Sequence, residues 1–164
     1  MKDVMLDTNI YGAIIKNREQ EFIKDKLRRK KSIILYGASI IWKELKDVPR
    51  IVKFEQRSLQ LLLLGLYERL IDKEITVTPD MVYLAEDYFN AYVELGGNAS
   101  RKNIIDDFII VACASIKDLD IVVSEDEKSM LNRTAIRSYK IVNKIQNRNT
   151  PNFIKYKDFR RLLA

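Results

Sequence analysis

Short, wholly apolar runs alternate along the chain with stretches whose apolar positions recur at helical spacing. Val4-Met5-Leu6, Ile33-Ile34-Leu35-Tyr36 and Ile121-Val122-Val123 have the pattern of strands covered on both faces, as in a parallel sheet. After the first run, Ile10 to Lys16 and Glu19 to Lys31 read as helices, the second with Phe22, Ile23 and Leu27 among its charges. Ile40, Ile41, Trp42, Leu45 and Val48 predict a helix that Pro49 stops, and a long helix is expected from Ile51 to Asp72. Ile75 to Thr78 predicts a short extended segment ended by Pro79. A helix from Asp80 is then broken by Gly96-Gly97-Asn98. The next helix, through Ile104, Phe108, Ala112 and Ile116, leads into Ile121-Val122-Val123. A basic helix from about Ser129 to Ile145, an Asn-rich turn, a short strand from Phe153 to Tyr156 and a terminal helix from Asp158 complete the pattern. Strands separated by helices need crossover connections, so the fold class is α/β, a parallel sheet with helices on both faces.

Leucines between Leu59 and Leu66 occupy more than one stripe of their helix, which predicts a surface for a partner or a second copy, a homodimer, as well as for the core. The same cluster is too short and too closely flanked by charge to span a bilayer, and no membrane association is expected. With 164 residues, 47% hydrophobic and 32% charged, residues 1–164 read as a single domain. Cys113 is the one cysteine and lies in an apolar run, so it reads as a small core residue. No disulfide framework can form within one chain, no secretory leader pattern precedes the first strand, and a reducing cytoplasm is the expected compartment. The absence of histidine excludes histidine bases, zinc sites built on histidine, and Ser-His or Cys-His nucleophile pairs.

Net charge is +6, unevenly distributed. Residues 16–31 carry eight Lys or Arg against three acids, and residues 133–161 nine against one, so the remainder of the chain sums to −7. Two basic segments around an acidic centre suit carboxylates that hold a cation beside cations that hold a polyanion, although either segment alone also reads as a solvated helix face.

Four acids are candidates for that centre. Asp7 and Asp126 follow the apolar runs 4–6 and 121–123, just beyond the strand ends, where open α/β sheets place ligands. Glu44 and Asp107 lie on helices that can point to the same crevice. For each acid taken singly, a helix cap or a solvated side chain is the plain alternative. Taken together, carboxylates a few ångströms apart repel unless a cation sits among them, and oxygen-only ligands select a hard ion, Mg2+ or Mn2+. Such an ion can acidify a water and neutralise charge on a transferring phosphoryl group.

Leu6-Asp7-Thr8-Asn9, Ser39-Ile40-Ile41-Trp42-Lys43-Glu44-Leu45, Asp107 with the aliphatic run through Ala114, and Val122-Val123-Ser124-Glu125-Asp126 resemble, in order, the four acidic motifs of the PIN-domain family, which includes the VapC-type toxins. The resemblance covers nearly the whole chain. It implies a three-layer α/β/α sandwich around a central parallel sheet and a metal-dependent endoribonuclease whose partner is a small antitoxin. Asp7, Asp107 and Asp126 are then expected as ligands of Mg2+ or Mn2+, with Glu44 binding or orienting. Asn9, Asp106 and Ser124 are expected behind them, fixing carboxylate orientation. Adjacent helical residues diverge by about 100°, so Asp106 and Asp107 cannot both face one ion, and the resemblance, through the family's spacing to Ala112 and Ala114, favours Asp107. Arg18, Lys24, Arg28, Arg101, Arg133, Arg137 and Lys140 are candidate contacts to RNA phosphates. The chain departs from the pattern at Ser129, where the family often has Phe, with Met130 beside it. An RNA-processing nuclease without an antitoxin, or a catalytically silent RNA- or protein-binding module, would carry much of the same pattern. A receiver or a haloacid-dehalogenase-like phosphatase fits less well, since Gly37 and Asn9 stand where those would want Asp.

Overall fold

A computed structural model describes residues 1–164. The chain runs β1 (Lys2–Leu6), α1 (Thr8–Lys16), α2 (Gln20–Arg29), β2 (Ile33–Ala38), α3 (Ser39–Lys46), β3 (Lys53–Phe54), β4 (Arg57–Ser58), α4 (Leu59–Leu70), β5 (Lys73–Ile75), α5 (Pro79–Glu94), α6 (Arg101–Ile116), β6 (Ile121–Val123), α7 (Arg133–Ile145), β7 (Asn152–Ile154) and α8 (Tyr156–Leu163). Five strands form one sheet in the order β5-β2-β1-β6-β7, and every pairing is parallel. Helices cover both faces: α5, α6 and α7 pack together on one, α1, α2 and α4 on the other. This is the α/β sandwich that the apolar runs predict. All of Val4, Met5, Leu6, Val122 and Val123 are fully buried.

The connections from β1 and β6 leave in opposite directions, since β1 is followed across the sheet by β2 and β6 by β7. These two strands are neighbours, with Leu6 beside Val123 in register, so a crevice opens beyond their C-terminal ends. Asp7 and Ser124 are the next residues of each chain segment, and the Asp7 N–H continues the ladder to the Val123 carbonyl at 2.9 Å.

The expected helix from Ile51 to Asp72 is the clearest correction. Its first part is an antiparallel hairpin of β3 and β4, and α4 starts only at Leu59, capped by the Ser58 hydroxyl, which accepts the Leu61 N–H at 3.3 Å. The hairpin turns on Glu55 and Gln56, both with positive φ, 50° and 65°. Such turns usually carry Asn or Gly, so Glu-Gln gives no turn signal. Of the leucines in α4, Leu63, Leu66 and Leu70 are buried, Leu59, Leu62 and Leu64 pack at the edge of the core, and only Leu61 is largely exposed, at 68%. The many-sided leucine pattern is thus mostly taken up by the chain itself. The short extended segment is also displaced: β5 is Lys73–Ile75, an edge strand in which Lys73 and Glu74 are exposed and Ile75 is buried. No helix is long and apolar enough to cross a membrane.

Two local features fix the packing on either face of the sheet. The Tyr88 hydroxyl, Ser115 Oγ and the Asn143 amide form a buried network joining α5, α6 and α7, with Tyr88 Oη donating to Asn143 Oδ1 at 2.7 Å. On the other face, Gly37 of β2 lies against the Tyr67 ring, whose hydroxyl donates to Glu74 at 2.6 Å with the Ala38 carbonyl 3.3 Å away, and which packs on Tyr11. A Cβ at residue 37 would overlap that ring, 2.6 Å from its Cζ. Gly37→Ala is expected to lower stability by about 2 kcal/mol and the melting temperature by roughly 5 °C. Thermal denaturation checks this, and combining it with Tyr67→Leu should recover part of the loss. A fully stable Gly37→Ala protein would mean that Tyr67 moves aside freely.

Candidate active site

Asp7 ends β1 and caps α1. Its Oδ1 accepts the Thr8 N–H at 2.7 Å and its Oδ2 accepts the Ser124 hydroxyl at 2.7 Å, so both oxygens are fixed although the residue is only 3% exposed. Ser124 is fully buried, and its Oγ in turn accepts the Asp126 N–H at 3.0 Å, linking the two acidic strand ends. Asp126 Oδ1 accepts the N–H groups of Lys128 and Ser129 at 3.1 and 3.0 Å, which fixes the loop after β6. Asn9 is exposed, and its Oδ1 accepts the Glu125 N–H at 3.3 Å, closing β1 against the same loop.

Asp107 enters from α6. The Ser129 hydroxyl lies 2.6 Å from Asp107 Oδ2 and also bonds Asp126 Oδ2. A hydroxyl has one proton to donate. Ser129 can therefore satisfy both carboxyls only when one of them is protonated, or when a cation takes that proton's place. The position where the pattern departs from the family is thus the bridge of the acidic site. Met130 beside it is fully buried, and its carbonyl accepts the Tyr139 hydroxyl of α7 at 2.9 Å. Because Ser129 is turned to the acids, α7 begins at Arg133, later than the apolar spacing predicts, with the Asn132 side chain accepting the Thr134 N–H.

Glu44 points in from α3. Its Oε1 is buried and lacks a hydrogen-bond partner of good geometry, as does the Thr8 hydroxyl nearby. Burial pushes the Glu44 carboxyl up to about 7, opposed by the Thr8 hydroxyl and reinforced by Asp107, Asp106 and Asp47. Burial likewise raises Asp7 to about 6, against the lowering effect of Ser124 and Thr8, with Glu44 and Asp126 adding to the rise. Asp107 is pushed up to about 7 by burial, then by the charges of Asp7, Asp126 and Asp106, with the Ser129 hydrogen bond opposing. Asp106 is on the exposed side of α6 and acts on the cluster through its charge alone. Asp7, Glu44, Asp107 and Asp126 therefore lie near one another, and burial with the neighbouring negative charges disfavours the ionised forms of Asp7, Glu44 and Asp107.

No three of these side chains converge at ligand distance as they stand, and the Ser129 hydroxyl lies between Asp107 and Asp126. The donor set nevertheless fits a hard cation. It consists only of carboxylate oxygens, one of them a buried orphan, and it is short of positive charge. Cys113 takes no part: it is buried in α6 and its thiol is pushed up to about 12 by burial.

The candidate RNA contacts are dispersed. Arg18 pairs with Glu55 of the β3–β4 turn, and Arg101 with Glu86 of α5, so each has a carboxylate partner already. Arg133, Arg137 and Lys140 are exposed along α7, whose first turn follows the Ser129 loop. Lys24 and Arg28 line a groove between α2 and α4, at the opposite end of the sheet from the acids.

No protein-family model matches the chain, and no curated protein sequence does. Solved structures do share its fold. A chain of the VapBC2 crystal structure from Rickettsia felis, bound to a DNA fragment from their promoter, is 13% identical, with a TM-score of 0.62 over 94% of this chain and 98% of that one. Chains of the DNA-bound VapBC structure from Salmonella typhimurium and of VapBC-1 from nontypeable Haemophilus influenzae are 15% and 14% identical, each with a TM-score of 0.58 and the same two coverages. At these identities the likeness is one of fold, and it extends over nearly the whole of both chains.

Proposed function

We propose that the protein is a Mg2+- or Mn2+-dependent endoribonuclease and the toxin of a VapBC-type pair with a small antitoxin. The observation that carries the nuclease reading is the crevice itself: four carboxylates at the switch point of a parallel sheet, three of them held well above the usual carboxylate range. The toxin role is supported by the likeness in fold to chains of VapBC complexes.

Asp7, Asp107 and Asp126 would hold the ion, with Glu44 as a further ligand or as acceptor for a water. When bound, the ion supplies an acidified water for in-line attack and offsets charge on the transferring phosphoryl group. The chain's own groups prepare the crevice for it. Ser124 and the Thr8 N–H hold Asp7 in one orientation, and the Lys128 and Ser129 N–H groups do the same for Asp126. Ser129 bridges Asp107 and Asp126, which requires a proton on one of the two carboxyls, and an ion held there would take the place of that carboxyl proton while the Ser129 hydroxyl kept its own. Hydrolysis by water leaves 5′-phosphate ends and does not use the 2′-hydroxyl as nucleophile, so preference for RNA must come from shape and contacts.

The closed Ser129 bridge also suits a second reading, a PIN-like module that binds RNA without cutting it. Incubation with single-stranded RNA separates the two. Cleavage to 5′-phosphate ends that is lost in EDTA and restored by Mn2+ is the expected result; intact RNA in Mn2+ with binding retained would establish the silent module instead.

A further inference from the structure

A basic furrow runs along the outer side of α4. Its first part, a cavity of about 390 Å3, is lined by Lys24 and Arg28 of α2, Lys31 after it, and Arg69 of α4, over a floor that includes Ile33 and Leu70. Its second part, about 330 Å3, continues from the same Arg69 past Leu62 to Arg57 of the hairpin. Lys24 and Arg28 are four residues apart on α2, which places them on one face, and Lys31 lines the same cavity from the turn that follows the helix. The one lining carboxylate, Asp72, accepts the Leu35 N–H at 2.8 Å. Lys24, Arg28, Lys31 and Arg57 form no ion pair, and Arg69 reaches only the exposed Glu21 at 3.7 Å. Five cations along one depression, against Asp72 and the exposed Glu21, leave an excess of positive charge that attracts an extended polyanion. An elongated furrow fits a chain of phosphates better than a single small anion. Ile33 lies beside Lys2, five residues before Asp7, so the furrow is about 16 Å down the sheet from the acids.

We propose that this furrow is a second, non-catalytic site that holds the phosphodiester backbone of single-stranded RNA while another part of the same RNA lies at the acidic crevice. The proposal rests on the ribonuclease reading for the identity of its ligand, yet it is tested by binding alone. A labelled RNA of about 20 nucleotides is titrated by fluorescence anisotropy in EDTA, at several salt concentrations, against the parent and the double variant Lys31→Ala/Arg69→Ala. Both side chains are exposed, so a thermal melt matching the parent's verifies the fold. The expected result is affinity lowered roughly tenfold at low salt and a log–log salt slope smaller by about 1.4, or 0.7 for each lost phosphate contact. The charge-conserving Lys31→Arg/Arg69→Lys protein should retain the parent slope. A dinucleotide, too short to span furrow and crevice, should not distinguish the two proteins at the acidic site.

An unchanged affinity and slope in the double variant overturns the proposal. So does displacement of the RNA by polyglutamate at lower charge concentration than by unlabelled RNA, which would assign the furrow to an acidic protein segment, or equal displacement by inorganic phosphate, which would make it a small-anion site. The two readings fail separately. Unchanged binding with Mn2+-dependent cleavage intact removes the furrow and leaves the nuclease, whereas furrow-dependent binding without cleavage in Mn2+ does the reverse.

Discussion

Asp7→Asn is expected to lower Mn2+-dependent RNA cleavage at least a thousandfold and, at the same time, to raise the melting temperature of the metal-free protein at about pH 8. The two effects share one cause. In the fold, burial holds the Asp7 carboxyl near 6, against an ordinary carboxylate value of 3.8. Ionised Asp7 is therefore a cost to the folded state, roughly 3 kcal/mol at 1.36 kcal/mol per unit. Because the folded pKa is the raised one, this cost is absent below the unfolded value, grows between 3.8 and about 6, and is complete above that. Asparagine is isosteric and caps a helix as well as aspartate does. Its carbonyl can keep the Thr8 N–H, and its amide can donate to Ser124 Oγ in place of accepting from it. Removal of the charge should then stabilise the metal-free protein by up to about 3 kcal/mol, or roughly 6–12 °C, at pH 8, with no gain near pH 3.5. Cleavage falls because a neutral amide neither neutralises a cation nor competes with water for it. An Asn protein that cuts RNA like the parent would show that Asp7 is a helix cap only. One that melts well below the parent at pH 8 would show that its hydrogen bonds outweigh its buried charge.

The sheet and most helices were legible because their residues are buried in simple patterns. Val4 to Leu6 and Ile121 to Val123 are apolar at every position since helices cover both faces of the sheet, and a continuous run is the only pattern that allows. The hairpin at residues 53–58 was not legible. Its turn places Glu55 and Gln56 in the left-handed region, where their side chains give no sign of it, and its anchor, the Arg18–Glu55 pair, joins residues 37 positions apart. The strand order was hidden as well, because it depends on which crossovers share a face. Within the site, Asp7, Glu44, Asp107 and Asp126 could be picked out by their places at strand ends and in helices, and the structure brings all four to one crevice. Ser129 could not: a hydroxyl carries no pattern, and its bond to Asp107 spans 22 residues. The basic residues show the converse. Their charge is plain in the sequence, but whether a cation is free depends on its neighbours, and Arg18 and Arg101 turn out to be paired while Lys24 and Arg28 are not.

Ser129 also explains why the site is poised rather than preformed. Carboxyls near 6 and 7 in one crevice, with a hydroxyl between Asp107 and Asp126, keep a proton in a substantial share of molecules at neutral pH. That proton occupies the place a cation would take, so on the proposed reading protons and cations would compete for the same oxygens.

Mn2+ affinity is therefore expected to rise about a hundredfold between roughly pH 5.5 and pH 8. The direction follows from the raised values. Asp7, at about 6, and Asp107, at about 7, are mainly protonated at pH 5.5 and mainly ionised at pH 8, and only the ionised forms bind a hard cation. With unshifted carboxylates the same interval would change affinity hardly at all, since both would be ionised throughout. Calorimetric titration with Mn2+ at several pH values measures the dependence, and repeating it near pH 6 in buffers of different ionisation enthalpy counts the protons released, expected to be between one and two per ion. The melting temperature gives an independent reading: the ion should raise it far more at pH 8, where it relieves ionised carboxylates, than at pH 5.5, where it must first displace protons. A flat affinity profile with no proton release would mean that the cation does not enter between these carboxyls, and the acidic crevice would then have to be stabilised in some other way, with Ser129 as a permanent bridge rather than a gate.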